Sequence, residues 1–150
     1  MSVQIRKNAE LFYKALEDVW VAEQIARGSP NNAAWHCTQA VEKAMKGLLR
    51  CFNSDYDYGH ELKELLDAVD LLIDLPTEIT KDILYIDRFG VALRYKSMAS
   101  DPTVEEAMVA ISRAKGIINE LGKNPNVSSF LKEAEEVHTK TLKSSAEEDA

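Results

Sequence analysis

This sequence is poor in the features that mark extracellular, membrane and metal-binding chains. It has only two cysteines, Cys37 and Cys51. Both fall on one expected helix, where ~1.5 Å of rise per residue puts them roughly 21 Å apart, so they cannot bond to each other. Small apolar cysteines in a reducing cytoplasm are the simplest reading. No apolar run approaches the roughly 20 residues of a membrane span. The opening stretch, MSVQIRKNAELF, lacks the uninterrupted apolar segment of a signal peptide. A soluble, cytoplasmic protein is therefore expected. There is no Gly-rich phosphate loop, and the three histidines, His36, His60 and His138, fall on three separate segments, which gives no zinc pattern. Basic residues are also outnumbered, 18 against 25 acidic, for a net charge of −7. Such a surface repels nucleic-acid phosphate and anionic membrane, which argues against a general nucleic-acid coat protein. A local basic stripe remains compatible with phosphate binding.

What is present is helical periodicity over a length of 150 residues, enough for one domain with a real core. The first helix is expected from about Val3 to Arg27, with Ile5, Ala9, Phe12, Leu16 and Val19 on its buried face and Trp20 and Ile25 extending it. Gly28-Ser29-Pro30 ends it, with Gly28 suited to a left-handed cap. The second helix spans Asn31 to Phe52, with Asn31 or Asn32 as cap. So short a connection makes the two antiparallel neighbours. A loop, NSDYDYG, precedes a third helix from near His60 to about Asp74, with Leu72 and Ile73 among its inner residues. Leu75-Pro76 breaks it. A fourth helix starts at a Thr77 cap and continues to about Ser97, with Gly90 a weak point inside it. A fifth starts at Asp101-Pro102 and ends at Gly122, with Val104, Met108, Ile111 and Ile118 along one side. Residues 1–122 thus read as an all-α, up-and-down bundle of about five helices. Residues 123–150 read as a linker and an acidic tail, helical in composition from Phe130 to Leu142 and frayed at its end.

The second helix carries two stripes. Ala34, Cys37, Val41, Ala44, Leu48 and Phe52 gather on an apolar face. His36, Gln39, Lys43 and Lys46 recur at the same spacings on another face. Taken alone, that polar stripe equally describes a solvated surface or a polar seam between helices. Two further features join it: the junction Gly59-His60-Glu61-Leu62, and the stretch RFGVALRY, Arg88 to Tyr95. Arg88 in a bundle calls for a carboxylate, and Glu42 or Asp87 would serve. Tyr56 and Tyr58 in the loop are suited to stacking on a base or to packing over a helix end.

Together these features resemble the HEPN domain family, higher eukaryotes and prokaryotes nucleotide-binding. WHCTQAVEKAMKGLL is similar to that family's aromatic-His pair, Gln-Ala, Glu-Lys and Lys before a Leu pair. His60-Glu61-Leu62 resembles its His-x-Leu segment, and Arg94-Tyr95 its later Arg-Tyr. The likeness spans roughly Val3 to Leu121. It implies a helical bundle, commonly a homodimer, often associated with a small nucleotidyltransferase. Many members are metal-independent RNases with an Arg-x4-6-His motif, where His moves the proton and Arg stabilises the phosphorane charge. Laid on this chain, Arg88 takes the Arg position, Leu93 the His position and Tyr95 the following Tyr position. Leucine transfers no proton, and no other arginine supplies the spacing.

The resemblance therefore favours the non-catalytic branch, a module that binds a nucleotide, a nucleotidyltransferase partner, or both. His36, Gln39, Lys43, Lys46, His60, Arg88, Arg94 and Tyr95 are its candidate ligand-binding residues. No catalytic residue, metal or tightly held cofactor is implied beyond that nucleotide. RNA is the less favoured partner, and no membrane is expected. The alternatives are a toxin-like RNase with a displaced His and a structural helical adaptor.

Overall fold

A computed structural model describes residues 4–54, 61–90 and 100–149. Among these, six helices and no strand are present: α1 (Lys7–Ile25), α2 (Pro30–Cys51), α3 (Leu62–Asp70), α4 (Thr77–Asp87), α5 (Val104–Leu121) and α6 (Ser128–Asp149). The fold is the all-α bundle expected from the apolar periodicity. None of the described helices is long and apolar enough to cross a membrane.

Helix α2 is the central member and packs against α1, α3, α4 and α5. Its apolar stripe is fully inside: Ala34, Cys37, Val41, Ala44 and Leu48 have no exposed surface. Met45 and Leu49 widen the buried arc. Burying the larger of these side chains contributes about 1.5–3 kcal/mol each. The approach of α1 is set by Gly47. A Cβ there would lie 3.0–3.1 Å from the ring of Phe12, which is itself fully buried. Glycine lets the ring lie directly on the α2 backbone.

The starts of α2, α4 and α5 differ from the expected ones by a residue or two, whereas α1 begins four residues later than expected and α3 ends four residues earlier. Pro30 is the first residue of α2 rather than the stop of α1, and Ser29 precedes it as cap. Proline suits that position because its missing N–H would have no partner there. The amide of Asn32 donates to Ser29 Oγ at 2.8 Å instead of capping the helix. Pro76, not Thr77, caps α4. Thr103, not Asp101, caps α5, through a reciprocal box with Glu106 in which both hydrogen bonds are 3.1 Å. No described glycine has a positive φ, so the left-handed cap expected at Gly28 is not formed. That conformation occurs instead at Asn53, φ 52°, after α2. There Ser54 N–H donates to Leu49 O and Asn53 N–H to Arg50 O, both at 3.0 Å, the paired bonds of a Schellman end.

Four expected inner positions lie outside. Helix α3 ends at Asp70, so Leu72 is 39% exposed. Trp20 is 40% exposed, and Val104 and Met108 stand on the outer side of α5. The α5 face that enters the core is Ala107, Ala110, Ala114, Ile117 and Leu121. Helix α4 stops at Asp87, with Phe89 N–H closing a turn on Ile86 O. The continuation toward Ser97 lies outside the described residues from residue 91 onward.

After α5, Val127, Leu131 and Ala134 are buried. Residues 128–149 form a continuous helix that lies on α1, while residues 143–147 are exposed. Leu131 packs over Gly122, where a Cβ would stand 2.2 Å from Leu131 Cδ2 and make that side chain shift.

Candidate functional site

The polar stripe of α2 faces a seam with α1, and its centre is a carboxylate. Asp18, on α1, places Oδ1 2.9 Å from His36 Nδ1, and its Oδ2 accepts from Lys43 Nζ at 2.6 Å. The Asp18 side chain is 12% exposed, against 24% for His36 and 28% for Lys43. The acid is therefore sunk beneath two half-open partners. His36 also meets Trp35 edge to face, with ring centroids 5.1 Å apart. One turn further on, Lys46 lies 3.8 Å from the buried Glu42. Gln39 is half-buried on the same edge.

Asp18 tolerates burial because both oxygens are met by donors; an unmet carboxylate in that position would cost several kcal/mol. With Nδ1 held by Asp18, Nε2 is the ring nitrogen left to act on a ligand. The charges nearly cancel: Asp18 and Glu42 match Lys43 and Lys46. The stripe thus offers directed donors more than a surplus of positive charge.

Asp18 is not among the residues that the sequence motifs single out, although a signal for it is present. It lies three residues after Ala15 and four before Ala22, both fully buried, so it interrupts an apolar face. A carboxylate at such a position requires cationic or donor partners, and α2 supplies them.

Arg88 belongs to a different cluster. Its guanidinium donates to Glu106 Oε2 at 2.8 Å and lies over the rings of Tyr85 and Phe89, 4.3 and 4.9 Å from their centroids. Its acid partner is Glu106 of α5 rather than Glu42 or Asp87. Arg113 covers the same Tyr85 ring at 4.1 Å and lies 3.6 Å from Asp82. These contacts clamp α4 to α5, with Glu106 serving both the clamp and the α5 cap. The Glu106 carboxyl is held below the usual range, first by the Thr103 backbone N–H and then by the Thr103 hydroxyl and Arg88, with burial opposing them.

His36 and Lys43 therefore meet α1 at the seam, with Gln39 and Lys46 beside them on α2, while Arg88 is engaged elsewhere, by Glu106 and the two rings. His60, Arg94 and Tyr95, together with Leu93, Tyr56 and Tyr58, lie outside the described residues. No cluster of His, Cys, Asp and Glu suited to a metal is found among the described residues. Cys37, under the seam, is not a reactive thiol: burial, then the charges of Asp18 and Glu23, push it up to about 12.

Comparison with known proteins agrees with the all-α bundle. The HEPN domain model matches residues 8–124, and the chain belongs to the HEPN domain family. Two solved structures share its fold. TT1696 from Thermus thermophilus is 19% identical, with a TM-score of 0.70, over 79% of this chain and 98% of its own. ST0689, described as an archaeal HEPN homologue, is 22% identical, with a TM-score of 0.64, over 78% of this chain and 96% of its own. Comparison with curated proteins gives no match.

Proposed function

We propose that this chain is a non-catalytic HEPN module whose α1–α2 seam binds a nucleotide, a small nucleotidyltransferase partner, or both. The observation that carries the reading is the convergence of His36 and Lys43 on Asp18 at a half-open surface, with Gln39 and Lys46 along the same edge. Ammonium and imidazole groups held in fixed positions suit the phosphate oxygens of a small ligand. The near balance of charge at the seam, and the net charge of −7, favour a compact ligand over a long polyanion such as RNA. Trp35, beside His36, is placed to stack on a base.

Titration calorimetry against ATP, GTP and CTP tests the nucleotide arm. Saturable binding that weakens at least about tenfold in Lys43→Ala supports it. Binding to none of the three, or binding indifferent to Lys43→Ala and Lys46→Ala, removes the seam as the site. Co-purification with a co-expressed small nucleotidyltransferase tests the partner arm.

One observation favours a second reading, an RNase with a displaced His. Asp18 fixes the imidazole of His36 as an acid–base group requires, leaving Nε2 to exchange the proton. Cleavage of labelled RNA in EDTA, lost in His36→Ala, would select this reading over the first.

A further inference from the structure

The family model ends at residue 124, and the solved neighbours cover just under four-fifths of this chain while matching nearly all of their own. Helix α6 begins at Ser128, past that boundary. It docks on α1 and with it builds a cleft of about 360 Å³ on a face of α1 other than the one that bears Asp18. Three helices each supply a stripe at helical spacing. From α1 come Leu16, Val19, Trp20 and Glu23; from α5, Lys115, Ile118 and Asn119; from α6, Glu135, His138 and Leu142. The volume falls in the range of small-ligand clefts, roughly 300–1,000 Å³. A larger concavity of about 600 Å³ beside Arg6 and Glu133 has no aromatic wall.

The lining specifies the ligand. Leu16, Val19, Ile118 and Leu142 make an apolar interior, and Trp20, 40% exposed, presents an indole at its edge. His138 meets Tyr13 edge to face, ring centroids 6.0 Å apart. Of the three side chains with full charges, Glu23 and Lys115 satisfy each other at 2.9 Å. Glu135 has no ion-pair partner among the described residues, which leaves the cleft one negative charge in excess. An indole at the rim and an exposed, unmatched carboxylate beside apolar walls together suit a cation carried on an apolar body.

We propose that the α1–α5–α6 cleft is a binding site for small arylalkyl ammonium compounds, with the aromatic body against Trp20 and the ammonium on Glu135. The site is independent of the α1–α2 seam, so its failure leaves that reading intact, and the reverse also holds.

The test is a titration of the isotope-labelled full chain with 2-phenylethylamine and, separately, phenylacetate, which have a similar body and opposite charge. The Trp20 indole N–H and the His138 ring are the reporters. The expected result is saturable shifts of both with the amine and at least about tenfold weaker response to the acid. Glu135→Gln, whose folding is checked by the dispersion of the same spectrum, removes the preference, and Glu135→Lys reverses it. No saturable response to the amine, equal response to both compounds, or a preference that survives Glu135→Gln overturns the proposal.

Discussion

Asp18 Oδ1 and His36 Nδ1 lie 2.9 Å apart across the α1–α2 seam, and the same carboxylate accepts from Lys43. One acid therefore sets the position of two groups of the candidate site. Asp18→Ala leaves both without their partner at a surface only about a quarter exposed. A loss of roughly 1–3 kcal/mol is expected, below the cost of breaking a fully buried pair because solvent still reaches the cations. Asp18→Asn, which keeps one acceptor, falls between. Urea denaturation of the two variants and of Asp18→Ala/Lys43→Met checks this. The double variant is expected to recover part of the loss, since it removes the stranded ammonium together with the acid.

Gly47→Ala tests the α1–α2 contact. On helix propensity alone it would stabilise by about 1 kcal/mol. The added methyl meets the buried Phe12 ring at 3.0–3.1 Å, so the ring must give by a few tenths of an ångström, and overpacking of this kind costs roughly 1–3 kcal/mol. Net destabilisation of about 1 kcal/mol is expected in the same denaturation assay. A more stable variant would show that the ring moves freely.

The two thiols differ in reactivity. Cys37 is buried and stays protonated far above neutral pH, so alkylation of the folded chain is confined to the half-exposed Cys51. Burial raises Cys51 as well, more than Arg50 lowers it, so its labelling is slow. Mass spectrometry after iodoacetamide treatment at about pH 8 should give one adduct, and Cys51→Ser none until the chain is unfolded.

Acid stability depends in part on Glu106 and Glu133. Both carboxyls are held below the usual range, Glu106 first by the Thr103 backbone N–H and Glu133 first by that of Arg6. A carboxylate with a depressed folded-state value stabilises fully above its unfolded value, about 4.3, and loses that contribution as pH falls through the folded value. Thermal melts should show Glu106→Gln less stable than the parent at about pH 7. The difference should shrink as pH falls below about 4.3 and through the folded value, where the parent carboxyl also becomes neutral.

How much of this is legible depends on how each signal is written in the chain. The α2 core stripe and its central place follow directly from repeated apolar spacing, and Ala34 through Leu48 are buried as that spacing requires. Helix starts read from sequence fall a residue or two away because a proline that looks like the stop of one helix can open the next; Pro30 and Pro76 both stand at helix starts. Trp20 and Met108 read as inner residues because hydrophobicity alone does not say which flank of a wide apolar arc the neighbours cover. The acid of the seam is hidden for a different reason. Its meaning lies in residues 18 and 25 positions away, which only packing brings together. Helix α6 is legible in composition but not in docking, since Val127, Leu131 and Ala134 are a short stripe.

Helix α6 is held along its first two thirds and stands exposed only toward its end. Val127 and Leu131 anchor its start, and Glu133 accepts from the backbone N–H of Arg6 at 2.7 Å, while residues 143–147 stand in solvent. At ~1.5 Å per residue, its 22 residues make a rod of roughly 33 Å. Only its last turns stand clear of the bundle, so substitutions at residues 143–147 disturb no buried contact.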